Sequence, residues 1–169
     1  MLDAAKISEK IMAMNDDVWT RHSSPLSVYT RFTVLPLLSL AVWSRAWIGI
    51  YSLIPIIISI LWIWLNPRVF KAPKHTDTWA SKGTFGERVY LLRNELGIPS
   101  HHLKAVRTLM TLSFFGLPFL IYGLYRFDIY SVIIGNIIVM TFKAWVVDRM
   151  VWIFDDMAEI HPEFKNWIK

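Results

Sequence analysis

The fold class the sequence predicts is an all-α membrane protein. Four transmembrane helices form two hairpins, with amphipathic helices on the cytoplasmic side. Three observations carry that prediction. The 169 residues are 54% hydrophobic, above the ~45–50% usual for a soluble domain. The apolar residues gather into four runs, each longer than the ~12 residues such a domain normally tolerates. Two pairs of these runs are joined by only three residues each, Ser44-Arg45-Ala46 and Arg126-Phe127-Asp128, and links that short force helical hairpins. The length suits one integral membrane domain, residues 1–169.

The chain opens with Ala4, Ile7, Ile11 and Met14 at helical spacing. Residues 2–14 are therefore expected to form a short amphipathic helix on the surface. The segment does not read as a secretory signal, because acids appear at once and no apolar core follows a basic start. Asn15 before Asp16 and Asp17 predicts a helix restart with an N-cap and acids in the first turn. Ser24-Pro25 then starts the first span, about 26–43, in which Arg31 lies near one end and can snorkel. The second, WIGIYSLIPIIISILWIWL over 47–65, carries no charge and covers roughly 28 Å, close to the ~30 Å hydrocarbon core. The third runs over about 108–125 and the fourth over 129–147, with Asp128 as its N-cap.

Charge placement sets the expected orientation. Of the 18 lysines and arginines, the tight turns hold only Arg45 and Arg126. The positive-inside rule then puts both termini and the loop 66–107 in the cytoplasm of a bacterial inner membrane. The net charge of +5 is explained by a basic surface facing anionic headgroups, and no nucleic-acid partner is expected. With no cysteine, disulfides, thiolate metal sites and cysteine nucleophiles are excluded.

Within the loop, Asn66-Pro67 is expected to end the second span. Thr84 and Glu87 have the spacing of a capping box, which predicts a helix over 85–96 closed by Gly97. Ser100 is expected to cap the third spanning helix and place His101 and His102 in its first turn. A weak internal likeness joins the hairpins: LPLL at Leu35 matches LPFL at Leu117, and the same offset of 82 carries Ser59 onto Thr141 and Asn66 onto Asp148. This suggests a parallel duplication about an axis along the membrane normal.

Polar residues inside the spans are few. Ser52, Ser59 and Asn66 recur every seven residues on one face, and Asn136 and Lys143 share another. Helix-to-helix hydrogen bonding is the plain reading, and it suits mid-membrane Asn136. Lys143 lies some four residues from the cytoplasmic end, so it either snorkels or faces a polar cavity. Asp148 is about 140° away around the helix, so a partner for Lys143 should come from another helix. The five histidines, with Glu87, Asp148, Asp155 and Asp156, offer imidazole and carboxylate ligands to zinc or non-haem iron, His22, His102, Glu87 and Asp148 foremost. No HxxH, HExxH or HxxxH spacing pre-organises them, and the adjacent His101 and His102 should diverge by about 100°. Glycine-rich phosphate loops and serine-nucleophile motifs are absent.

The stretches DDVWTRHSSPLSVYTRF, WLNPRVF, WASKGTFGERVY, PSHH and WVVDRMVWIFDDM together resemble a family of small bacterial four-span membrane proteins classed as a domain of unknown function. The resemblance covers nearly the whole chain, with DRMVW its most specific part. It implies the topology but no activity or cofactor. By likeness it directs attention to Trp19, Arg21, His22, Asn66, Arg68, Trp79, Glu87, Arg88, His102, Asp148 and Arg149.

The expected site is a charged, hydrogen-bonded layer at the cytoplasmic interface, tied by Asn66, Arg68, Glu87, Arg88, Asp148 and Arg149. Arg21, His22, His101, His102 and Lys143 belong to the same candidate site. Three readings stay open. The layer fixes the bundle and holds a lipid headgroup; or it serves an interfacial enzyme, with or without metal, acting on a lipid-soluble substrate; or Asn136 and Lys143 line the path of a small transporter working as a homo-oligomer.

Overall fold

The computed structural model describes residues 12–169. The helix expected over 2–14 thus falls almost wholly outside the described residues, and Met12 and Ala13 form a turn. From Asp16 onward the described chain is helical, without a strand. Three of its helical stretches are long and apolar enough to cross a membrane: Pro25–Val69, Ser100–Arg126 and Ile129–Ile160. The chain is a membrane protein.

Helix α1 (Asp16–His22) starts as its sequence requires, with the Asn15 side chain accepting from the Val18 amide at 2.9 Å. After Ser24, Pro25 opens α2 (Pro25–Phe32), and α3 (Val34–Trp43) follows beyond Thr33. The interruption has a local cause. Pro36 has no N–H for the Phe32 carbonyl four residues back, so the helix ends at Phe32. The chain then turns through α4 (Arg45–Ile48) and a 3-10 turn at Gly49–Ser52, where Gly49 takes φ 54°. Helix α5 (Leu53–Val69) then packs back along α3.

Asn66-Pro67 does not end helix α5, contrary to the sequence reading. Pro67 cancels only the bond to the Ile63 carbonyl. Arg68 Nη1 donates to the Trp64 carbonyl one residue on, and the last turn continues to Val69.

Helix α6 (Trp79–Leu91) also corrects the sequence reading of a helix over 85–96. Its N-cap is Thr78, whose hydroxyl accepts from the Ser81 amide at 3.2 Å. Thr84 lies inside the helix and donates to the Ala80 carbonyl at 3.2 Å. Trp79 explains the earlier start: its ring stacks on Tyr29, and its Nε1 donates to Asp148 at 3.0 Å. Glu87 is thereby released from the capping role. A short α7 (Arg93–Leu96) ends at Gly97, φ 64°.

Helix α8 (Ser100–Phe114) is capped at Pro99, and the Ser100 side chain makes no capping bond, contrary to expectation. It is separated from α9 (Gly116–Arg126) at Phe115, three residues before Pro118. The break at Thr33 lies equally far before Pro36, so the interruptions repeat at the offset of 82 seen in the sequence. Asp128 caps α10 (Ile129–Ile160) by accepting from the Tyr130 amide at 3.2 Å. This helix has 32 residues, or about 48 Å, so it must outrun the ~30 Å hydrocarbon core.

Burial divides the molecule into two regimes. Along the spans large apolar side chains face outward, as at Ile50 (72% exposed) and Ile121 (68%); water excludes such a surface and lipid accepts it. Around the far end of α10 the pattern is that of a soluble core. Val89, Val106, Ile153 and Met157 have no exposed surface, and Phe85, Phe154, Phe164 and Trp167 pack ring against ring. A 3-10 turn (Pro162–Trp167) closes this cap. Glycine fastens the cap to the span: a Cβ on Gly86 would collide with the Met150 carbonyl, and only glycine lets α6 approach α10 so closely.

Candidate functional site

Where cap and spans meet, α1, α2, α6 and the middle of α10 enclose a cavity of about 350 Å³. Trp19, Phe32, Met110 and Met150 contribute to its apolar wall. Polar side chains reach it from four helices: His22 from α1, Arg31 from α2, Thr84, Glu87 and Tyr90 from α6, and Lys143 from α10. Lys143 Nζ lies 5.4 Å from the centre of the Phe32 ring, within cation–π range. Arg31 and Lys143 bring two basic side chains, and Glu87 is the only carboxylate in the wall among the described residues.

His22 is 2% exposed, and its two nitrogens are both engaged. Nδ1 lies 2.9 Å from Ser27 Oγ, and Arg31 Nη1 closes on Nε2. Guanidinium can only donate, so Nε2 must accept and Nδ1 must carry the proton. The rest of the chain agrees in direction. Ser27 Oγ donates to Asn66 Oδ1 at 2.8 Å, Asn66 Nδ2 donates to Thr30 Oγ1 at 2.8 Å, and Thr30 donates to the Leu26 carbonyl at 2.6 Å. Turning the Asn66 amide over would reverse its bonds to Ser27 and Thr30, take the Thr30 proton from the Leu26 carbonyl, and set Nε2–H against Arg31. Arg31 therefore fixes the tautomer of His22, and Asn66, with no exposed surface, anchors both hydroxyls. Burial, then the charge of Arg31, then that of Lys143 depress the His22 pKa to about 3. It is a neutral imidazole at physiological pH.

The structure gathers only part of the candidate set at this cavity. His22, Glu87 and Lys143 line it, and Asn66 stands directly behind His22. The expected six-residue layer does not form, because its members bond elsewhere. Arg68 donates to the Met12 and Trp64 carbonyls and sits 3.9 Å from the Trp64 ring centre. Arg21 pairs with Asp17 at 2.9 Å, and Arg88 pairs with Asp16. Asp148 accepts from Trp79, and Arg149 keeps a buried Nε without a partner among the described residues. His101 and His102 lie apart from the cavity, where His102 Nε2 meets Asp156 Oδ2 at 2.8 Å. The four foremost metal candidates thus divide among three places: His22 and Glu87 at the cavity, Asp148 with Trp79, and His102 with Asp156.

Asn136 bonds Ser39 across the helices at 3.1 Å and its own helix at Val132 at 2.9 Å. Lys82 bridges Asp77 at 3.0 Å and Asp155 at 3.3 Å. The hydrogen bond to Asp77 is the main reason its pKa rises above the usual lysine value, with Asp155 acting in the same direction.

Sequence reasoning missed Arg31, Ser27 and Thr30 as parts of the site. A signal for them existed: residues 27, 30 and 31 share one face of a helix, a polar stripe at the entrance of an otherwise apolar span. Asp156 stood among the carboxylates read as possible metal ligands, but nothing in the sequence paired it with His102.

A chain with this arrangement belongs to a defined family. Residues 4–167 match the family of unknown function DUF6653, and the protein is a member of it. No curated protein and no solved structure is similar enough to count as a match.

Proposed function

We propose that this membrane protein binds an amphiphile with an anionic head in the cavity beneath α6. One observation carries the reading. Two basic side chains, Arg31 and Lys143, face a single carboxylate among the described residues, Glu87, in a cavity whose remaining wall is largely apolar. The neutral His22 adds no compensating charge. An anionic group between Arg31 and Lys143 balances the excess, and in a partly dry site such charge-assisted bonds are strong. The Phe32, Met110 and Met150 side of the cavity suits the start of an acyl chain, and four methionines in the wall adapt to chains of differing shape.

The proposed setting is a bacterial inner membrane crossed four times as two hairpins. The stretch Pro25–Val69 supplies two crossings, because it is 45 residues long and α3 packs back on α5. Both termini and the cap lie on the cytoplasmic side by the positive-inside rule, which puts the cavity at headgroup level.

The test compares oleate with oleyl alcohol, which has the same chain and no charge, by titration calorimetry on purified protein in a neutral detergent. Oleate should bind at least about tenfold more tightly, and Arg31→Gln and Lys143→Gln should each remove most of that preference. Equal affinities, or a preference unchanged in both variants, would overturn the proposal. A lysophosphatidic acid arm distinguishes a phosphate head from a carboxylate.

A further inference from the structure

We infer that His101, His102 and Asp156 form a binding site for one divalent ion of the zinc class, separate from the cavity and independent of its ligand. One ligating atom from each residue lies within 4.8 Å of the other two. The first turn of α8 supplies both histidines, and the cap end of α10 supplies the carboxylate. Adjacent histidines on a helix ordinarily diverge, yet these two rings turn toward each other, with centres 4.1 Å apart. The divergence read from sequence is therefore corrected.

A second observation points to an absent partner. His102 is 1% exposed, its Nε2 meets Asp156, and its Nδ1 has no hydrogen-bond partner among the described residues. Nearly every buried imidazole nitrogen in a folded protein is satisfied. When Nε2–H is donated to a carboxylate, Nδ1 presents a lone pair, the arrangement in which an outer carboxylate orients a metal-binding histidine. Two imidazoles and one carboxylate are the donor types zinc prefers, at about 2.0–2.2 Å from the ion. Drawing the three atoms onto one ion needs only side-chain rotation, since His101 is exposed and the Asp156 side chain is 46% exposed. Because the two ring nitrogens point apart, Asp156 closes on the ion where Nε2 takes it and only orients the ring where Nδ1 does. Water completes the coordination, as in sites with three protein ligands.

Position assigns the ion its task. Asp156 lies six residues, about 9 Å along α10, beyond Met150 in the cavity wall. An ion there clamps the start of α8 to the cap and leaves Arg31 and Lys143 untouched.

The experiment uses full-length protein without a polyhistidine tag, stripped with a chelator and titrated with zinc chloride against a chromogenic competitor. Wild type should bind one equivalent. His101→Asn and Asp156→Asn should each weaken binding by at least about tenfold, while His75→Asn and His161→Asn should leave it unchanged. Both informative positions are exposed or half-exposed, so folding should survive, and circular dichroism verifies it. Substoichiometric zinc in the wild type would overturn the assignment. So would undiminished affinity in both His101→Asn and Asp156→Asn.

Discussion

The two helix pairs proposed above as hairpins share a layout and differ in what holds them. In each, a proline interrupts the first spanning stretch and the second helix runs back beside the first, with the landmarks repeating at 82 residues. In the second hairpin backbones touch. A Cβ on Gly123 would lie 2.6 Å from the Val132 nitrogen and 2.8 Å from the Asp128 carbonyl oxygen, and one on Gly135 would lie 2.8 Å from the Gly116 carbonyl oxygen. Close approach through small residues is the membrane protein's substitute for hydrophobic collapse. The first hairpin has no glycine in either of its long helices. It is tied instead by the directional chain from Asn66 through Ser27 to His22. Steric contact holds one pair; oriented hydrogen bonds hold the other and position His22 at the cavity.

The largest effect should come from breaking the steric half. Gly123→Val forces a branched side chain into the α10 backbone, where no side chain can yield. The expected cost is at or above the upper end of the ~1–3 kcal/mol typical of overpacking. Denaturant unfolding in mild detergent measures it, and Gly97→Ala, which meets no atom within 4 Å but sits at φ 64°, shows the cost of backbone strain without collision.

Next in size is Asn66→Ala. It strips the acceptor from the buried Ser27 hydroxyl and the donor from Thr30. Each buried polar group left unpaired costs about 1–3 kcal/mol, so a loss of about 2–3 kcal/mol is expected. The same variant leaves the Ser27 hydroxyl that meets His22 without its anchor. It should therefore also reduce the preference for oleate over oleyl alcohol, although residue 66 is not in the cavity wall.

Much of this architecture was legible in the sequence, for physical reasons that particular residues make clear. The caps at Asn15 and Asp128 were readable because capping is local: one side chain and an amide two or three residues on. The continuation of the last span into the cap was readable from Met150, Ile153, Phe154 and Met157, all buried at helical spacing. The Thr84–Glu87 box failed because a tertiary contact, Trp79 to Asp148, draws the helix start upstream. The charged layer failed for a related reason. Long arginine side chains find nearby carbonyls and acids, as Arg68 and Arg88 do, and sequence does not reveal which of several partners within reach will win. Arg31 was visible only as a residue able to snorkel; the cavity exists because α6 folds over it.

A smaller effect tests the electrostatics of the polar half. The His22 pKa falls to about 3 in the folded protein, against about 6.5 in the unfolded chain. Between those values the unfolded state binds a proton that the native state does not. Stability should therefore fall as pH drops below about 6.5 and stay flat above it, with a slope approaching about 1.4 kcal/mol per pH unit from this group. His22→Gln removes that component, and the comparison of wild-type and variant melting between pH 4 and 8 isolates it from the carboxylates. A slope unchanged in the variant would show that His22 is not the buried neutral group the geometry requires.

The smallest expected effect is the most discriminating for the contrast between hairpins. Asn136, like Asn66, is an amide inside an apolar helix bonded to a serine on another. It lies in the second hairpin's long helix, where glycine contacts already fix the geometry. One of its bonds is to Val132 of its own helix, so only the bond to Ser39 holds two elements together. Interhelical bonds of this kind average about 0.6 kcal/mol in membranes. Asn136→Leu should cost less than about 1 kcal/mol, because the leucine regains packing with neighbouring side chains and only the Ser39 hydroxyl must find a new partner, which its own helix's carbonyls can supply. Asn66→Ala and Asn136→Leu measured side by side thus read out the division of labour directly. If Asn136→Leu proves as damaging as Asn66→Ala, polar bonds carry both hairpins alike, and the first hairpin's hydrogen-bonded chain loses its claim to a role beyond tying helices together.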